Sequence, residues 1–108
     1  MRVLEFIVED QILTKNPSCD FENLVPGTEG YLQARFSFSP AWNGFVKAAA
    51  FWRGNRECEP QLLKDGYTCM ISADALEGKS FGVSVVGKRG EKVLITNRVK
   101  VNQNGGGV

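Results

Sequence analysis

The sequence contains no histidine, which removes the commonest general base and the commonest ligand of transition metals in one stroke. Hydrolase and metalloenzyme schemes built on imidazole lose their central part. Its three cysteines, Cys19, Cys58 and Cys69, include no C-x-x-C pair, and their spacings of 39 and 11 residues match no zinc motif, whose ligands come in close pairs. An odd set of this kind fits free structural thiols in a reducing compartment better than a disulfide frame. Cys69 is expected to be buried and Cys58 to lie nearer the surface. No metal or other cofactor is expected.

Charge of one sign is also missing. Thirteen basic and twelve acidic residues leave a formal charge of +1, so there is no field to gather phosphate backbones, and non-specific nucleic-acid binding is excluded. The apolar run over residues 45–52 is broken by Lys47 and is too short to span a bilayer. At the N-terminus Glu5, Glu9 and Asp10 interrupt the apolar residues where a secretory signal needs an unbroken hydrophobic core, so cytoplasmic synthesis without export by a signal peptide is expected. Neither a Walker pattern nor a G-x-G-x-x-G unit occurs. Gly87-Lys88-Arg89-Gly90 therefore reads as a basic hairpin tip, because no helix follows to present its N-terminus to a phosphate. Glu57 and Glu59 share one side of a strand-like segment and read as solvated carboxylates. A small enzyme would need a Glu, Lys or Cys of tuned pKa, and no constellation suggests one; a non-enzymatic protein is expected.

What is present is β-patterning. With 108 residues, 43% apolar and 23% charged, the chain has the size and composition of one ordinary globular domain. Residues 31–39 alternate cleanly, with Leu32, Ala34, Phe36 and Phe38 on one face and Gln33, Arg35, Ser37 and Ser39 on the other, as a half-buried strand requires. Residues 3–13 alternate more loosely and read as the first strand. Phe45, Val46, Phe51 and Trp52 favour a strand over residues 45–53 despite the three alanines between them. Residues 57–64 read as a short strand that Pro60 suits to a sheet edge, and Asp65-Gly66 as the best hairpin signal, leading into residues 67–71. Residues 72–78 allow one helical turn. Residues 80–88 and 92–101 complete the set.

About seven short strands separated by turn signals predict an all-β immunoglobulin-like β-sandwich with antiparallel pairing. A small closed barrel is the alternative, since alternation does not say whether the sheet closes. Phe36, Phe38, Phe51, Cys69, Ile71, Phe81, Val83 and Val85 are the expected shared core. The domain is expected to span residues 1–102. Residues 103–108, ending in three glycines and a valine, have the composition of a flexible tail or linker, which points to a first domain of a longer polypeptide.

Binding potential rests on aromatic and edge residues. Trp42 follows a strand where a ring can close one end of a core; Trp52 competes with Phe51 for the inside, since neighbours on a strand face opposite ways. Trp52 and Tyr31, as outward aromatics on adjacent strand-like segments, together with the apolar pair Leu62-Leu63, form the candidate binding surface. Glu57, Glu59, Pro60 and Lys64 are the residues that guard a sheet edge, so the isolated domain is expected to be monomeric or weakly associating.

The middle of the chain also carries a resemblance. Phe36-Ser37-Phe38, Trp42-Asn43-Gly44, Lys47-Ala48-Ala49-Ala50-Phe51, Leu63-Lys64-Asp65-Gly66 and Cys69-Met70-Ile71 are followed by residues 82–87 and Ile95-Thr96-Asn97. The pattern resembles an N-terminal immunoglobulin-like domain of phage and prophage minor structural proteins. Ser72, where a proline often follows, and Asn43, where an acidic residue is common, depart from it at turns. The resemblance implies a virion structural role in the tail or baseplate, exercised by protein-protein interaction. Partners would be other tail proteins or further domains of the same polypeptide, with synthesis in the host bacterial cytoplasm and final residence in the virion tail. It transfers no catalytic or cofactor residue. The alternative is a carbohydrate-binding module recognising host-surface glycans through Trp52 and Tyr31.

Overall fold

The structure, a computed structural model, describes residues 1–104. It is all-β. Ten strand segments follow one another as β1 (Arg2–Glu9), β2 (Ile12–Lys15), β3 (Leu32–Phe38), β4 (Val46–Arg53), β5 (Arg56–Glu57), β6 (Gln61–Leu62), β7 (Thr68–Met70), β8 (Ser80–Arg89), β9 (Lys92–Ile95) and β10 (Val99–Asn102), with single 3₁₀ turns at Pro40–Trp42 and Ala75–Glu77. A four-stranded sheet is ordered β2-β1-β3-β7. A six-stranded sheet is ordered β10-β8-β4-β5, with β6 also on β4 and β9 also on β8. No helix among the described residues is long and apolar enough to cross a membrane.

The count exceeds the expected seven because three of the expected strands are interrupted. Asp10, at φ 52°, turns the first strand back on itself, so that Glu9 faces Ile12 and β1 and β2 become a hairpin. Pro60 lies in the break between β5 and β6, which pair with the end and the middle of β4, as a residue without an N–H must. Residues 96–98 separate β9 from β10, which likewise share β8 end to end.

Two pairing expectations are corrected. β1 and β3 run parallel, with Phe6 beside Phe36 and Leu4 beside Ala34, so the pairing is not antiparallel throughout. Parallel neighbours need a connection of about a dozen residues or more, and residues 16–31 supply it. Phe21 and Leu24 pin that connection to the core, while the Arg2 guanidinium donates to the carbonyls of Asp20, Glu22 and Asn23. The Asp65-Gly66 turn does not close a hairpin: β6 pairs with β4 in one sheet and β7 with β3 in the other. The Asp65 carboxylate accepts the N–H groups of Tyr67 and Thr68 and the Thr68 hydroxyl, which bends the chain from sheet to sheet.

Inward-facing residues of both sheets form one core that includes Leu4, Phe6, Val8, Phe36, Phe51, Ile71, Phe81, Val83, Val85 and Val101. All eight expected core residues belong to it, Phe38 as a partly buried member packed against it. Cys58 is buried, at 4% exposure, against the expectation of a surface position. Its N–H continues the β4 ladder by donating to the Phe51 carbonyl, and that pairing carries its thiol inward. At the C-terminal end Gln103 is also buried: its N–H donates to Lys79, and its side-chain amide to the carbonyls of Leu76 and Gly78. Asn104 donates to the Leu24 carbonyl. The packed part of the chain therefore runs past residue 102, where the tail was expected to begin; residues 105–108 lie outside the described residues.

Aromatic rings line the core in a row. Phe21 meets Phe6 at 5.5 Å between centroids, Phe6 stacks on Phe36 at 5.3 Å, and Phe36 meets Phe38 at 6.0 Å. Trp42 then contacts Phe38 at 5.3 Å and Phe45 at 6.1 Å. Trp42 is fully buried, and its Nε1–H donates to the Asp10 carbonyl at 2.6 Å, which meets the requirement that a buried indole N–H be paired. Gly87 on β8 makes room for the ring: a Cβ there would stand 2.8 Å from Trp42 Cζ3.

Replacing Phe36 by Ala should cost about 3–5 kcal/mol, the usual loss for a buried aromatic, and replacing the partly buried Phe38 should cost less. Gly87→Ala should cost about 1–3 kcal/mol, as overpacking does, although alanine adds a single methyl group. Urea denaturation of the three variants measures all of these. A Gly87→Ala chain as stable as the parent would show that the Trp42 ring is free to shift.

Candidate functional site

Strand register decides what the outside of the six-stranded sheet displays. Directly paired residues project from the same face, and the pairs Leu62–Ala48, Ala48–Val86 and Val86–Ile95 align four apolar side chains in one row across β6, β4, β8 and β9. One step along the strands, Val46 pairs with Lys88 and Lys88 with Val93. Ala49 in β4, Val85 in β8 and Leu63, directly after β6, face the core, so this row faces outward. Leu62, Val46, Val93 and Ile95 are exposed by 52%, 66%, 51% and 58%. Four of the nine exposed large hydrophobics of the described residues thus gather on one face, and such clustering marks an interaction surface where scattered apolar residues do not.

The four expected binding-surface residues fare differently. Leu62 belongs to this row. Leu63 is buried at 4% exposure, its N–H bonded to the Lys47 carbonyl, and is removed from the surface; consecutive strand residues face opposite sides, so a Leu-Leu pair offers one side chain to each. Tyr31 is exposed but leads into β3 of the four-stranded sheet, its carbonyl accepting from Arg2 N–H. Trp52 lies on the outer face of the other sheet, so the two rings are not on adjacent strands. The Trp52 ring is itself occupied: the Arg98 guanidinium lies 3.6 Å from its centroid, and its Nε1–H donates to Ser84 Oγ at 3.1 Å. Gly82 permits this stack, since a Cβ there would meet Arg98 Cδ at 2.8 Å and Trp52 Cβ at 3.1 Å.

Beyond the row, the end of β4, β5 and the second 3₁₀ turn carry a charge cluster. Arg56 grips Asp74 through two hydrogen bonds of 2.8 and 2.9 Å, and Arg53 holds Glu77 at 2.7 Å. The Arg56 hydrogen bonds hold the Asp74 carboxyl below the usual carboxylate range. Cys58 lies beside it, and burial, then the Asp74 charge, push its thiol up; burial pushes Cys69 up to about 12. Thiols so raised stay protonated near neutrality and make poor nucleophiles. The cluster fastens the 3₁₀ turn to β4 and β5, and its charges satisfy one another.

Val46, Val86, Val93 and Ile95 escape a reading of strand alternation alone, yet for Val86 and Ile95 a signal exists. The apolar doublets Leu62-Leu63, Val85-Val86 and Leu94-Ile95 each send one member inward and the other out. Register then brings the three outward members into line.

Two measurements probe this surface. Arg98→Ala should cost about 0.5–1 kcal/mol, the value of an exposed cation–π contact, and should increase acrylamide quenching of Trp52 while Trp42 stays shielded; unchanged quenching would mean that Arg98 does not cover the ring. The Asp74 pairing has a pH signature. A depressed folded-state pKa stabilises the fold above the unfolded value of about 3.9 and ceases to do so as pH falls through the folded value. Asp74→Asn should therefore lower the urea midpoint at pH 7, with the difference from the parent closing as the pH drops below the ordinary carboxylate range. No protein-family model matches the chain, and no curated protein matches it.

Proposed function

We propose that the chain is a non-enzymatic structural or assembly domain of a phage or prophage tail, an immunoglobulin-like β-sandwich that docks onto other tail proteins or onto further domains of its own polypeptide. The observation that carries the reading is the outward row of Leu62, Ala48, Val86 and Ile95. Leaving large apolar side chains in water forgoes the stabilisation of burial, about 25 cal/mol per Å², and a covering partner recovers it. The polar chemistry of the chain supports the same direction, since the buried thiols are raised and the strongest ion pairs close on one another.

The resemblance to phage tail and baseplate domains supports the biological setting. Its signature residues Phe36, Trp42, Phe51, Cys69 and Ile71 are all buried core positions here, so the shared pattern is one that builds a fold and leaves the outer faces to set partner choice. Residence in the tail follows synthesis in the host bacterial cytoplasm, as part of assembly.

Mass spectrometry of particles purified from the source organism tests this directly. The chain should co-purify with tail proteins at a stoichiometry reproducible between preparations. Recovery only from uninfected cytoplasm, in a complex unrelated to virions, would overturn the proposal.

A further inference from the structure

The two outer faces of the domain differ in charge. On the six-stranded sheet the apolar row adjoins Lys88, and the outward position of β10 holds Lys100, paired with Gly82; Arg98 lies over Trp52 nearby. Glu57, paired with Trp52, is the acidic residue on that face. Neither Lys88 nor Lys100 forms a salt bridge among the described residues. On the four-stranded sheet the outward residues of β1 are Val3, Glu5, Ile7 and Glu9, since Leu4, Phe6 and Val8 are in the core. Arg35 lies 4.0 Å from Glu5, while Glu9 and Asp10 have no ion-pair partner among the described residues. Two adjoining open depressions of about 470 and 510 Å³ share Ile7, Glu9 and Asp10, and the larger is also lined by the exposed Ile12.

One face is thus apolar with a basic margin, and the other is a shallow apolar trough with an acidic margin. We propose that these faces fit each other: the outer face of the six-stranded sheet docks onto the outer face of the four-stranded sheet of a second copy, so that copies stack head to tail. Charge complementarity selects this pairing. Two six-stranded sheets meeting about a two-fold axis would bring Lys88 and Lys100 of one copy toward those of the other, and like charges brought together suppress association. A contact between unlike faces is heterologous, leaves one free face at each end and does not stop at the dimer.

The sheet edges are poor alternatives. Pro60 breaks the β5–β6 edge, and Asn97 occupies the β2 edge, its side-chain amide donating to the Leu13 carbonyl and accepting the Leu13 N–H. An interface centred on one row of side chains belongs to the weak class below about 1,200 Å² in total, in keeping with weak association of the isolated domain. The inference rests on reading the apolar row as a docking face, and it names the partner as the same chain.

Sedimentation of the full 108-residue chain between about 10 μM and about 1 mM, the range suited to a weak interface, tests it. The weight-average mass should rise continuously and pass that of a dimer. Ile95→Glu spoils one face and Glu9→Lys the other, so each variant alone should remain monomeric. Their equimolar mixture should stop at a 1:1 dimer, because each then contributes one intact face. Lys88→Glu serves in place of Ile95→Glu should the latter fail to fold, as judged by urea denaturation. A parent chain monomeric throughout overturns the stacking, and so does association that ends at a dimer or survives Glu9→Lys. None of these results bears on whether the chain is found in particles, so failure of the stacking and failure of the tail assignment are read separately.

Discussion

The seating of Trp42 between the two sheets is the contact on which the rest of the structure depends. Its ring touches Phe38 of β3 on one side and reaches Phe45, at the entry to β4, on the other, and it lies against the bare backbone of Gly87 on β8. Its N–H bonds to Asp10, at the turn that folds β2 back onto β1. One side chain therefore ties its own stretch between β3 and β4 to the Asp10 turn and to β8, which are far from it in sequence. Asp10 can hold its positive φ, which is unfavourable for a residue with a Cβ, because the Trp42 bond and the Ser39 hydroxyl fix it from outside.

The row of rings extends that anchor through the core. Phe6 and Phe36 stack across the parallel pairing of β1 and β3, and Phe21 closes the row from the long connection. Phe21 is partly buried and contributes less than the roughly 1.5–3 kcal/mol of a fully buried side chain, but together with the buried Leu24 it gives the long connection a fixed seat. Lys15 and Lys47 extend their ammonium groups over Phe21 and Phe38 at the margins of the row, a favourable electrostatic contact with the ring face.

Between the sheets the seams are closed by side chains in place of strands. Asn97, after β9 of the six-stranded sheet, pairs with the Leu13 backbone of β2 as a peptide group would, while the preceding Thr96 extends the β8–β9 ladder, its hydroxyl accepting the Val85 N–H. Asp65 redirects the chain at the opposite seam. With the edges short, interrupted or occupied, the broad sheet faces are what the domain offers to other molecules, and there the exposed apolar side chains and uncompensated charges are found. The residues with chemical reactivity lie elsewhere: the buried thiols are held protonated, and the arginine-carboxylate cluster fastens a turn.

The sequence by itself determined the class and most of the core. Period-2 alternation is a local property of the extended chain, so the inward faces of β3 and β8 could be read from residues 32–38 and 80–89 directly, and so could the boundaries of β4 from Gly44 and Gly54. The absence of histidine likewise bounded the chemistry before any coordinates. Tertiary structure decided the rest, because it depends on which strands become neighbours. The parallel partnership of β1 with β3, the assignment of β6 and β7 to different sheets and the inward turn of Cys58 follow from long-range packing that no local pattern encodes. The same holds for the surface. Leu62, Val86 and Ile95 stand in separate apolar doublets in the sequence, and only the register of β6, β4, β8 and β9 makes them one face, since hydrogen bonding between strands aligns side chains that are not neighbours along the chain.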